Sequence, residues 1–413
     1  MTVAPGQNRP SLADVDLNDA EPFVTGDPHL LWARLRAECP VHWNPVDQDG
    51  FWALTTYDDV LAAYRDEQTF SSAHGAIMGG SYRSRVDTAT GRMLVCADPP
   101  RHAPMRRRMQ QVFSTAMTDK VAEQVRISVR TALARIAADG GGDFATKVAV
   151  ELPAGALMAL LAIGHDDALE LVRRTHDMIG FLDPAHHLGI EDDSVRLVSA
   201  QMEVFDFFLG LIDERRARPG ADAVSILLAT PPGEKRLDRE SLLFNLMNLA
   251  VGGDETTPHS ASAGLVALMD NPGQWDRLAA DPGLVATGVD EVLRWTSTNA
   301  YVQRVTLAPV RIRDVEIPEG ERVTLWSASA NRDAAQFTEP DRLDLGRKPN
   351  HHIAFGSGIH RCIGAATARL ELTALLDELR ALPVRLVAAG PPERLRSNFM
   401  LGVKHLPVAV AAG

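Results

Sequence analysis

The sequence predicts a mainly α single domain with small β-sheets. From Met117 to Leu228 it reads as successive helices, with no strand signal to interrupt them. A second stretch, Arg239 to Met269, places Leu242, Leu246, Leu249, Gly253 and Thr256 at alternating intervals of four and three, which is one face of a long helix. Strand signals are short and lie toward the two ends, and no Gly/Ser- or Pro-rich linker divides the 413 residues into compositional halves.

Hydrophobic residues make up 45% of the chain and charged residues 23%, enough to bury a substantial core and unlike a disordered sequence. The net charge of -12 argues against nucleic acid as a general partner. Met1 to Asp19 holds no long apolar run, so we expect no secretory signal and no membrane anchor, and a cytoplasmic protein. Cys39, Cys96 and Cys362 are too few and too scattered for a disulfide framework.

Taken in order, residues 1–20 are polar and are expected to form a flexible N-terminal segment, with the domain spanning 21–413. A helical pattern from His29 to Glu38 precedes two strands, Val41 to Asn44 and Phe51 to Thr56, around Asp47-Gln48-Asp49-Gly50. Tyr57 to Asp66 reads as a helix, and Ser71 to Ala97 as a long irregular segment. The next helix opens in Asp98 to Arg108, where His102 and Arg106 share a face and can grip one anion, leaving Arg107 and Arg108 to the surface. Further helices are predicted over Val121 to Ala138, Val148 to Ile163, Ala168 to Phe181 and Val195 to Arg216. His186 and His187, adjacent and without further spaced ligands, are assigned no metal.

Within the Arg239 to Met269 helix, Gly252 and Gly253 each cost about 1 kcal/mol relative to alanine and Pro258 about 3 kcal/mol. Because Pro258 has no N–H to donate to the carbonyl of Asp254, the helix is expected to open where Glu255, Thr256 and Thr257 sit. Glu291 and Arg294 then stand at i, i+3 on a helix beginning near Val285. Val310 to Leu325 and Val384 to Val410 carry the remaining strand signals.

The most informative stretch is Phe355-Gly356-Ser357-Gly358-Ile359-His360-Arg361-Cys362-Ile363-Gly364, a glycine-punctuated loop ahead of a helix predicted over Ile363 to Leu382. At a helix N-terminus the macrodipole and unpaired N–H groups favour a Cys362 thiolate, a nucleophile or a metal ligand. No second cysteine is near enough for a zinc cluster or a dithiol pair.

This decapeptide resembles the haem-binding signature of the cytochrome P450 superfamily. The resemblance implies that fold over roughly residues 28–410, with Cys362 as the thiolate ligand of haem b iron and Phe355 as the aromatic residue of the motif. It implies that His102, Arg106, Arg304 and His360 hold the haem propionates, and that Gly253 lets the helix approach the flat haem. Gly252-Gly253-Asp254-Glu255-Thr256 resembles the family's distal-helix motif, with Glu255 and Thr256 as the proton-delivery pair. Glu291 and Arg294 resemble its structural ion pair, for which Arg342 is the expected third member. Met78 and Tyr82 fall in the region that closes over substrate. Thr298 replaces the family's usual proline, and so Thr298, Asn299 and Tyr301 are expected as polar pocket residues.

The implied activity is insertion of one oxygen atom from O2 into a small organic substrate by hydroxylation or epoxidation, in bacterial secondary metabolism, with the substrate free or tethered to a carrier protein. Electrons would come from NAD(P)H through a ferredoxin reductase and a ferredoxin, since the chain has neither a Gly-x-Gly-x-x-Gly fingerprint nor a ferredoxin cysteine set. A haem-binding sensor or sequestering protein without turnover and a peroxide-driven or phenol-coupling oxidase are the alternatives.

Overall fold

A computed structural model describes residue 9 and residues 11–46, 49–78, 88–186, 192–230, 233 and 236–411. Its helices are α1 Glu21–Val24, α2 Pro28–Glu38, α3 Tyr57–Arg65, α4 His102–Gln110, α5 Thr115–Ala138, α6 Glu151–Leu161, α7 His165–Ile179 and α8 Asp193–Ala217. They continue with α9 Ala223–Leu228, α10 Arg239–Asp254, α11 Thr256–Asp270, α12 Pro272–Ala280, α13 Leu284–Thr296, α14 Ser327–Ala330 and α15 Ala365–Ala381.

Caps set several of these boundaries. Asp27 accepts from His29 N with Pro28 at the first position of α2, Ser114 accepts from Met117 N, and Asp238 accepts from Ser241 N. The Ser114 cap explains why α5 starts six residues before the expected Val121. The helix expected from Val148 begins at Glu151, after a wide π turn over Ala145–Ala149. Gly155 lets α6 settle on α5, since a Cβ there would lie 2.9 Å from Val125 Cα. No single helix among the described residues is long and apolar enough to cross a membrane.

The strands are β1 Val41–Val46, β2 Asp49–Leu54, β3 Phe70–Ser71, β4 Gly141–Asp143, β5 Val302–Thr306, β6 Val310–Ile312, β7 Val315–Ile317, β8 Arg322–Leu325, β9 Leu386–Ala388, β10 Glu393–Arg394, β11 Val403–His405 and β12 Pro407–Val410. A five-stranded mixed sheet runs β1-β2-β8-β5-β3, in which only β2 and β8 are parallel. Its hairpin pairs Trp43 with Trp52. The β4-β12-β9 sheet corrects the expectation of unbroken helices after Met117. The backbone of Gly141 and Gly142 pairs with β12, and a strand without side chains gives no alternation to read.

One core cluster joins α5 to α11, α13 and α15, and two smaller clusters line the faces of the five-stranded sheet. The N-terminal expectation is corrected from Val15 onward. Val15 and Leu17 are buried with Trp32 and Trp326, Leu17 N donates to Asn44 Oδ1 at 2.7 Å, and Asn398 Nδ2 donates to Leu17 O at 2.8 Å. Polar neighbours in the sequence concealed these two inward-facing residues.

Candidate active site

The cysteine loop is pressed against the end of α3. Gly358 has φ 68°, and a Cβ there would lie 2.3 Å from Tyr64 O, so the loop accepts only glycine at this point. Cys362 N donates to Phe355 O at 2.9 Å, which closes the loop and sets the cysteine three residues before α15. The Cys362 side chain is accessible to solvent yet walled in by protein, which is the geometry of a hollow. Burial pushes its thiol above the usual range, against the opposing pull of the Gly364 N–H and of Arg106, Arg361 and Arg369. The helix terminus and the arginines thus favour the thiolate while burial opposes it, and a bound metal ion would tip the balance toward the thiolate.

His102, Arg106, Arg304 and His360 gather around this loop. The His102 and His360 rings are 4.5 Å apart, and the Nε2 of each is buried without a hydrogen-bond partner. Burial, together with Arg304, His102 and Arg106, holds His360 down at about 3. Arg304 is 5% exposed and donates from Nη1 to Gln303 O at 2.7 Å. Among the described residues no carboxylate forms an ion pair with any of the four. Buried basic groups in this state call for an anion. The carboxylates of a haem meet that requirement, and the lone soft sulfur of Cys362 suits its iron, so the residues present fit the group.

Arg106, expected to grip one anion with His102, also contacts the cysteine loop. It donates to Ile359 O at 3.0 Å and Arg361 O at 2.8 Å and so buttresses the cysteine loop. Arg108, expected at the surface, is 3% exposed and donates to Leu227 O and Gln111 Oε1. Arg304→Ala is expected to speed haem loss to a scavenger protein by roughly 10- to 100-fold, the equivalent of one charge-assisted hydrogen bond of about 1.5–3 kcal/mol. An unchanged rate would remove Arg304 from the anion cradle.

The long helix breaks as Pro258 requires. α10 ends at Asp254 and α11 begins at Thr256, and the Asp254 carbonyl left without a Pro258 N–H lies 3.3 Å from His176 Nε2. A Cβ added at Gly252 or Gly253 would meet nothing within 4 Å, so this stretch of helix faces open space. Thr256 Oγ1 donates to Gly252 O at 2.9 Å. Glu255 is buried and faces His176 Nε2 at 3.8 Å and His259 Nε2 at 4.0 Å. The two members of the expected pair therefore point to different surroundings. Asp254 and Glu371 complete the buried group. Burial raises the Asp254 carboxyl well above its usual range and that of Glu371 to about 8. Sequence reasoning missed His176, Asp254, His259 and Glu371, although His259 stands four residues after Glu255, one helical turn along.

Glu291 and Arg294 form a fully buried bidentate pair, Nε to Oε2 and Nη2 to Oε1 both at 2.8 Å. The third member is Arg347, whose Nε lies 3.1 Å from Glu291 Oε2. This corrects Arg342: its exposed side chain pairs with Glu339, and only its backbone carbonyl joins the group, accepting from Arg347 Nη2 at 2.9 Å. Arg294 Nη1 donates to Asn331 O at 2.9 Å, and Ile353 N donates to Asn331 Oδ1 at 2.8 Å. The network thus ends two residues before Phe355 and anchors the cysteine loop.

Of the expected polar pocket residues, Thr298 and Tyr301 are buried and engaged within the protein. Thr298 Oγ1 is engaged with Ser260 Oγ at 2.5 Å. Tyr301 is fully buried between Trp326 and Phe399, and its OH accepts from Met78 N at 3.1 Å. Asn299 bridges to Met400, and Met78 is buried in the same cluster as Tyr301. Tyr82 lies outside the described residues.

A family model described as cytochrome P450 matches residues 283–401. Linalool 8-monooxygenase of Pseudomonas putida is 31% identical, covering 96% of this chain and 98% of its own length. Methyl-branched lipid omega-hydroxylase of Mycobacterium tuberculosis is 33% identical, covering 96% of this chain and 95% of its own. The crystal structure of a Mycobacterium marinum cytochrome P450 in complex with pseudoionone superposes with TM-score 0.88 at 29% identity, covering 98% of this chain and 100% of its own.

Proposed function

This chain belongs to the cytochrome P450 superfamily and is a monooxygenase, and we propose that it oxidises a small, branched, largely apolar substrate with electrons passed from NAD(P)H by a ferredoxin reductase and a ferredoxin. The observation that carries this reading is the accessible Cys362 side chain in its hollow, ringed by basic groups that lack an anion. Haem held there supplies reductive activation of O2, using two electrons and two protons and leaving one oxygen atom in the product and one in water.

The chain's own groups provide the rest. Cys362 Sγ would bind the haem iron, and His102, His360 and Arg304 would hold the carboxylates. Thr256 gives its hydroxyl hydrogen to Gly252 O, so Oγ1 offers lone pairs beside the open face of the helix and fixes where a proton donor settles. Glu255 is the buried carboxylate that stores and hands on a proton. An apolar substrate is favoured because the hydroxyls of Thr298 and Tyr301 are already engaged within the protein. Linalool, branched lipids and pseudoionone, named for the similar proteins, share that character. Arg101, Arg107 and Arg361 are exposed and offer a basic face to an acidic ferredoxin.

The test measures NAD(P)H consumed, hydrogen peroxide released and product formed, with a ferredoxin system and with peroxide alone. Thr256→Ala is expected to lower product per NAD(P)H by about tenfold or more while peroxide release rises. Wild-type coupling in this variant would remove Thr256 from the catalytic groups. Equal turnover with peroxide alone would favour the peroxide-driven alternative.

A further inference from the structure

The Glu255 carboxylate lies between two histidines that the chemistry above does not use. The rings of His176 and His259 are near-parallel, 17° between planes with centroids 5.9 Å apart. His176 Nε2 is 3.8 Å from Oε1 and His259 Nε2 is 4.0 Å from Oε2. The two histidines differ in freedom. His259 is buried, with Nδ1 3.3 Å from both the N and O of Val403, and a Cβ at Gly402 would come within 2.9 Å of its Nε2. The His176 side chain is 24% exposed, whereas that of Glu255 is 2% exposed.

We propose that His176 is the proton-entry group of this site, taking protons from solvent and passing them to Glu255, while His259 positions the carboxylate. The proposal rests on the monooxygenase reading above and deepens it by naming the route that supplies its protons.

Two acceptors face His176 Nε2, the Asp254 carbonyl at 3.3 Å and the Glu255 carboxylate. Nε2 therefore carries hydrogen, which leaves Nδ1 as the nitrogen that takes up a proton in this route. A proton taken up at Nδ1 makes the ring cationic, and the Nε2 hydrogen then passes to Glu255 Oε1. The imidazole is left neutral with its hydrogen on Nδ1, and it regains the starting tautomer when that hydrogen leaves to solvent and Nε2, with the ring swung away from Glu255, takes one up. Closing the 3.8 Å gap to hydrogen-bond distance takes about 1 Å of side-chain movement.

The surrounding charged groups leave this role to His176. Asp254 is buried beside Glu255, and burial keeps its carboxyl protonated well above the usual range. Glu371 of α15 keeps its proton up to about pH 8. Asp177 of α7 pairs with Arg173. Arg196 of α8 donates to Phe181 O, and Lys404 of β11 is held by Asp183 and Glu393.

The test has two arms on the haem-loaded protein. Hydrogen exchange at the imidazole C2 carbon, followed by mass spectrometry across pH, reports the titration of each histidine whether or not a substrate is known. Glu255→Gln is expected to move the His176 midpoint to lower pH, because a nearby anion that stabilised the cation is gone, and to leave His165 in place. An unmoved His176 midpoint would overturn the pairing. In the second arm, His176→Gln keeps an N–H donor for the Asp254 carbonyl but carries no proton between pH 5 and 8. It is expected to slow product formation by about tenfold or more, keep product per NAD(P)H within about twofold, and flatten the fall in rate at alkaline pH. A wild-type rate and pH profile would overturn the entry role while leaving the monooxygenase reading intact. Absence of turnover in the wild type itself would count against that reading, and the exchange arm would still decide the pairing.

Discussion

Cys362→Ser abolishes the strongly red-shifted absorption of the ferrous-CO complex and lowers product formation by more than about 100-fold, since even groups outside a metal's ligand set commonly alter affinity or activity by 10- to 100-fold. Serine is a harder, weaker donor to iron than a thiolate. Haem is retained in this variant, because the buried Nε2 atoms of His102 and His360 and the guanidinium of Arg304 do not depend on the sulfur. The loop also keeps its path, since its closure is a backbone bond from residue 362 to Phe355 O and its turn is fixed by Gly358. A spectrum of wild-type form in the serine variant would place the iron ligand elsewhere. Loss of haem together with the band would show that the anion cradle is weaker than its chemistry implies.

Glu291→Ala destabilises the protein by about 3–5 kcal/mol, the cost of stranding a buried charge, and lowers the melting temperature by roughly 5 °C. The removed carboxylate faces Arg294, fully buried, and Arg347, and it also accepts from Asp344 N at 2.9 Å. Glu291→Gln, which keeps the shape and one acceptor, falls between wild type and alanine. The ferrous-CO band also weakens in Glu291→Ala, because Arg294 no longer fixes Asn331 and through it Ile353, ahead of the cysteine loop. Arg342→Ala is the internal comparison. Its exposed side chain reaches only Glu339, so the change stays within about 1 kcal/mol. A loss at Arg342 equal to that at Glu291 would refute the assignment of Arg347 as the third member.

The features legible in the sequence are those carried by spacing along the chain. Gly356, Gly358 and Cys362 form one loop, and Pro258 breaks one helix beside Gly252 and Gly253, because backbone geometry acts over a few residues. The bidentate Glu291–Arg294 pair was legible for the same reason, both residues lying on one helical face. Features that depend on where a distant segment returns were not. Arg347 and Arg342 both lie downstream of the pair at similar distance in sequence, and only the path after α14 turns one inward and the other to solvent.

By itself, then, the sequence determined the cysteine loop, the break in the long helix and the order of the motifs, since each depends on local backbone conformation. Tertiary structure decided the partners. Arg106 turned to loop carbonyls, Arg108 went inside, Tyr301 entered an aromatic core, and Glu255 met a histidine from α7. The physical reason is reach and burial. A long charged or polar side chain has many rotamers within a few ångströms of its Cα, and which one pays its desolvation depends on the acceptors that folding brings to that spot.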